Sequence, residues 1–112
     1  MLALSFGASA YAETSREQMV HAYRLLSHAD GDYNGHRGAA MRHLETAGKE
    51  LGLDLEGDYP ERERQWKSDA KLVEARRLLR EARNKLEARD RDRVAGHLQK
   101  AIDELDIALK EK

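Results

Sequence analysis

The side chains of this chain best suited to chemistry stand together in D-G-D-Y-N-G-H-R, Asp30 to Arg37. Asp30, Asp32, Asn34 and Gly35 fit positions 1, 3, 5 and 6 of an EF-hand calcium loop, where oxygen ligands alternate and a glycine permits the sharp bend. The pattern then fails. Position 9 is Gly38, and position 12, which must supply two carboxylate oxygens, is Met41. A well-made turn between helices accounts for the same residues. Asp and Asn accept hydrogen bonds from the free N–H groups that open a helix, and glycines at 31 and 35 tolerate backbone angles closed to other residues.

Histidine makes the better metal argument. If the chain is an up-down-up-down bundle, His28, His36, His43 and His97 fall near one end, with Asp30 and Asp32 beside them. Neutral imidazoles with a carboxylate suit Zn²⁺, Ni²⁺ or Cu²⁺. The candidate metal set is therefore His28, His36, His43, His97, Asp30 and Asp32. No pair of these histidines has the i, i+4 spacing of a helical chelate, so the set requires separate segments to converge. Ordinary histidines at the edge of a core are the alternative.

Catalysis has less to stand on. There is no cysteine, no G-x-S-x-G, no P-loop and no H-E-x-x-H, so nucleophilic, phosphate-cradling and zinc-protease signatures are missing. Ser27 next to His28 is adjacency only, because neighbours on a helix do not face one another. The sequence predicts a protein that is not an enzyme and that carries no cofactor beyond a possible divalent ion.

Helices must position these residues. Charged residues make up 37% of the 112, yet the net charge is -1, which gives the chain no general attraction to nucleic acid. Residues 1–12 are uncharged and end in Ala10-Tyr11-Ala12, small residues where signal peptidase needs them. This segment reads as the remnant of a secretory signal, too short to span a bilayer. A periplasmic or secreted domain over residues 13–112 is expected.

Apolar residues recur at helical spacing in four blocks: Met19, Ala22, Leu26, Ala29 and Tyr33; Ala40, Leu44, Ala47 and Leu51; Leu72 to Leu86; and Val94 to Ala108. Each forms one stripe along a helix. A-Y-R-L-L-S-H-A (22–29) falls on A-R-R-L-L-R-E-A (75–82) at an offset of 53 residues, and H-L-E-T-A (43–47) on H-L-Q-K-A (97–101) at 54. The chain thus reads as a duplicated helical hairpin, hairpin 1 over about 14–52 and hairpin 2 over about 60–110. Gly52 is placed as a C-terminal cap, and Pro60 opens the third helix, with a second capping signal at Ser68-Asp69. Leu53 and Leu55 are free to plug a bundle end, and Trp66 to cover it. The fold class is all-α, an up-down-up-down four-helix bundle. Arg76, Arg80 and Arg83 share one helix face, which a solvated surface explains as well as an acidic partner or lipid does.

Asp32, Tyr33, Gly35, His36 and Arg37 match a D-Y-x-G-H-R turn between alanine-rich helices. This resembles a pattern in small, uncharacterised exported bacterial helical proteins. The resemblance covers the first hairpin and implies a bundle, export and an interaction site at the turn, with Tyr33, His36 and Arg37 its residues. Together these readings predict a non-enzymatic exported interaction or structural module with a protein partner. The alternative is a periplasmic metal-binding or metal-sensing protein using the histidine-bearing end.

Overall fold

A computed structural model describes residues 13–57 and 67–110. Among them are four α-helices and no strand: α1 (Ser15–His28), α2 (His36–Glu50), α3 (Ser68–Lys85) and α4 (Ala88–Lys110), with a 3₁₀ turn at Tyr33–Gly35 before α2. The signal-like segment, the proposed start at Pro60 and Trp66 lie outside the described residues.

Local chemistry sets the helix ends. Thr14 accepts from the Glu17 N–H at 3.1 Å, and Glu17 Oε1 accepts from the Thr14 N–H at 2.9 Å. This reciprocal capping box satisfies two orphan donors of α1. At the end of α2, Gly52 takes φ 75°. Its N–H donates to the Lys49 carbonyl at 3.1 Å, and the Leu53 N–H donates to the Gly48 carbonyl at 2.8 Å. That pair of bonds is a Schellman cap, as the glycine predicts.

The four-helix bundle is present, but the helices run in a different sense from the one expected. The Asp30 N–H donates to Ser68 Oγ at 2.7 Å where α1 ends, and Lys85 Nζ donates to the Glu13 carbonyl at 2.8 Å where it begins. Helix α3 is therefore antiparallel to α1. At the ends of α2, His36 meets Glu104 and Glu50 meets Arg93, so α4 is antiparallel to α2. The order is up-down-down-up. The cause is the crossover: it leaves α2 beside Arg16, which donates to the Leu51 carbonyl at 2.7 Å, and re-enters at the far end beside Asp30. The end of α2 and the start of α3 therefore lie at opposite ends of the bundle instead of the same one.

This arrangement relates the two hairpins by an approximate twofold axis across the bundle. Helix α1 packs on α3 and α2 on α4, as equivalent elements. The contacts exchange as the axis requires. Gln18 Nε2 donates to Glu81 Oε1 at 2.8 Å, and its mate under the 53-residue offset is Lys71 Nζ donating to the His28 carbonyl at 3.0 Å. Gln18 and Lys71 are also the buried polar side chains among the described residues. Two amphipathic helices sharing a leucine pattern by chance would not place a buried polar group at the same point.

The core follows the repeat. Ala22, Leu26 and Ala29 are buried, as are Ala75, Leu79 and Ala82. Leu25, Leu78 and Ile102 join them although they lie beside the stripes, because each helix contacts two others and needs a wider apolar face. Alanines at the α1–α3 and α2–α4 contacts let these helices approach closely. One difference between the two cores leaves a gap to fill: Ile102 stands where hairpin 1 has Gly48. Leu55 from the crossover fills that place, with its Cγ and Cδ1 3.1 Å from where a Cβ on Gly48 would sit.

Candidate functional site: the turn between α1 and α2

The 29–36 segment is held by bonds to three helices. Asp32 Oδ1 and its carbonyl oxygen both accept from the Gly35 N–H, at 3.0 and 2.9 Å. Arg37 Nε donates to the Gly31 carbonyl and Nη1 to the Leu26 carbonyl, each at 2.8 Å. The guanidinium thus closes the end of α1, whose last carbonyls have no helical partner. Its counterpart 54 residues on is Arg91, which donates to the Leu86 carbonyl at 2.8 Å. The repeat offset, carried through the turn residues, would have found this clamp in the sequence.

Tyr33 packs partly buried against the core, and its hydroxyl donates to Asp69 Oδ1 at 2.7 Å. Burial, then the hydrogen bond and charge of Asp69, push the phenol up to about 12. His36 Nδ1 lies 2.6 Å from Glu104 Oε1 on α4. Tyr33, His36 and Arg37, expected as the contact residues of the turn, are thus turned to partners inside the molecule. The exposed residues here are Asp30, Gly31, Asp32, Asn34 and Gly35.

The backbone is unusual. Tyr33 and Asn34 have φ 51° and 55°, and the flanking Gly31 and Gly35 have 87° and 83°. The left-handed region suits glycine and tolerates asparagine, but it disfavours a bulky residue such as tyrosine by roughly 1–2 kcal/mol.

The expected histidine cluster does not assemble. Among the described residues, no group of three or more His, Asp or Glu side chains gathers where it could hold an ion. The reversed sense of hairpin 2 is the reason, since α4 begins at the end of the bundle remote from the turn. His97 therefore does not share an end with His28 and His36, while His43 lies about 10 Å along α2 from His36. His28 is half-buried and offers its carbonyl to Lys71. Asp30 is exposed, and the Asp32 carboxylate caps Gly35. Met41, at the position a calcium loop needs for glutamate, packs on the core.

The basic face of α3 is also internally matched. Arg76 Nη1 donates to Asp106 at 2.8 Å, Arg80 approaches the same oxygen at 3.5 Å, Arg83 donates to Gln99, and Arg77 lies between Glu74 and Glu81. The Arg77 guanidinium holds the Glu74 carboxyl below its usual range. These side chains join α3 to α4 or stiffen α3. Among the described residues, no helix is long and apolar enough to cross a membrane. Comparison of the chain with protein families, curated proteins and solved structures finds no match.

Proposed function

We propose that this is an exported, non-catalytic helical module that presents the 30–35 turn to a protein partner. The observation that carries the reading is left-handed backbone strain at Tyr33 and Asn34, in a connection that hairpin 2 makes without it. Strain that the fold does not need persists where the surroundings hold it for another purpose, and binding loops are such places. Tyr33, His36 and Arg37 act here as positioning residues. They fix the turn so that Asp30, Asp32 and Asn34 reach solvent in one geometry, and a preformed loop loses little entropy on binding.

Site-specific photocrosslinking in the cells that make the protein tests this. A crosslinker at Asn34 is expected to give a discrete protein adduct that one at Asn84, on exposed helix, does not. That adduct should vanish in Arg37→Ala, which loosens the turn, and survive Arg76→Ala. Equal labelling from positions 34 and 84, or none from 34, would overturn the reading.

A further inference from the structure

The seam between α2 and α4 is tied at both ends. At one, His36 Nδ1 lies 2.6 Å from Glu104 Oε1. At the other, Arg93 Nη1 reaches the Glu50 carbonyl at 3.1 Å and its carboxylate at 3.6 Å. Between these ties stand His43, seven residues from both His36 and Glu50, and His97, seven before Glu104. Seven residues are close to two helical turns, so each histidine keeps the azimuth of the residues that bridge the seam. In antiparallel helices of this register, His43 and His97 come opposite one another at mid-seam, where the approximate twofold axis exchanges them. Both are half-buried. Ala40, Ala47 and Ala101, fully buried on the neighbouring turns, let the two backbones lie close.

We propose that His43 and His97 together bind one divalent transition-metal ion, Cu²⁺, Ni²⁺ or Zn²⁺, on the outer edge of the α2–α4 seam. Imidazole nitrogen is a preferred donor for these ions and a poor one for Mg²⁺ or Ca²⁺. Each ring comes from a separate packed helix, so the two backbones are in place before the ion arrives. Water completes the coordination, because no third His, Asp or Glu side chain gathers with the pair. Lys100 is exposed one turn beyond His97 and is long enough to turn its ammonium into solvent. The site is distinct from the turn and stands whether or not the turn binds a partner.

Calorimetric titration of the full chain with CuCl₂, NiCl₂, ZnCl₂ and CaCl₂ near neutral pH tests the assignment. One transition ion per chain is expected, with a rise in melting temperature that EDTA reverses and that CaCl₂ does not produce. His43→Ala and His97→Ala should each abolish the uptake, as should His43→Gln and His97→Gln, which retain bulk and helix. His28→Ala and His36→Ala should bind as the parent does. Cu²⁺ should broaden the NMR signals around residues 43 and 97 before those of the turn. Three results would overturn the proposal: no uptake at millimolar ion, uptake that survives both His43→Ala and His97→Ala, or one ion per two chains with a doubled sedimenting mass.

Discussion

Two turns perform the same task in this bundle and are built to different plans. Between α3 and α4 the chain reverses through Leu86 and Glu87, with Leu86 extended at φ -60° and buried. Between α1 and α2 it uses Ala29 to Gly35, including two strained residues in the left-handed region. They share one device, the equivalent arginines Arg37 and Arg91, which each reach back to backbone carbonyls. What is common to the turns is what a hairpin needs. What hairpin 1 adds is not required for reversal, and the proposed role of the first turn rests on this difference.

The comparison can be broken most severely in the core. Leu26→Ala and Leu79→Ala remove equivalent, fully buried leucines, and each should cost about 2–5 kcal/mol in urea unfolding. The two costs should agree to about 1 kcal/mol, within the spread that local relaxation produces. A larger gap would show that the hairpins are not energetically equivalent. Next, Arg37→Ala should cost about 1.5–3 kcal/mol, since a half-buried cation loses two carbonyl partners. Arg91→Ala, exposed and with a single carbonyl partner shown, should cost about 0.5–1.5 kcal/mol. Equal losses would mean the first turn is no more dependent on its clamp than the second.

Tyr33→Phe should lower stability by about 1 kcal/mol at neutral pH through loss of the Asp69 bond. The phenol rises from 10.0 to about 12 in the folded chain, so its protonated form is the one the fold favours. That contribution is whole below pH 10 and is lost as pH climbs toward 12. Ultraviolet titration should show late-ionising tyrosine absorbance that falls by one phenol's worth in the Phe variant. The smallest effect is that of Asn34→Gly. It relieves a left-handed residue but loosens the unfolded chain and removes the side chain's own contacts, so these effects offset and thermal unfolding should shift by less than about 0.5 kcal/mol.

Much of the fold was legible. The apolar stripes and the 53- and 54-residue offsets identified four helices, both hairpins, the Gly52 cap and the leucines of the crossover. The sense of hairpin 2 was not legible, because stripes record which face is buried and not which way a helix points. Gln18 and Lys71 do not carry that information by residue type alone, because they meet Glu81 and the His28 carbonyl at opposite ends of the α1–α3 pair and not each other. At the turn, residue types indicated chemistry but not direction. Tyr33, His36 and Arg37 found partners 36, 68 and up to 11 residues away, and only the tertiary fold supplies Asp69 and Glu104. The histidine cluster failed for the same reason as the helix order.

Because α1 rests chiefly on α3, and α2 on α4, the first hairpin has no completed core when it is made. Until the second hairpin docks, those apolar faces stay exposed, as in any folding chain whose halves complete each other. During that interval the second hairpin of another copy offers nearly the same surface as its own. Exchange of hairpins between chains is thus the natural misassembly of this protein. The crossover contact of Leu55 with Gly48 lies within one chain and needs nothing from the second hairpin, so it favours the chain's own assembly.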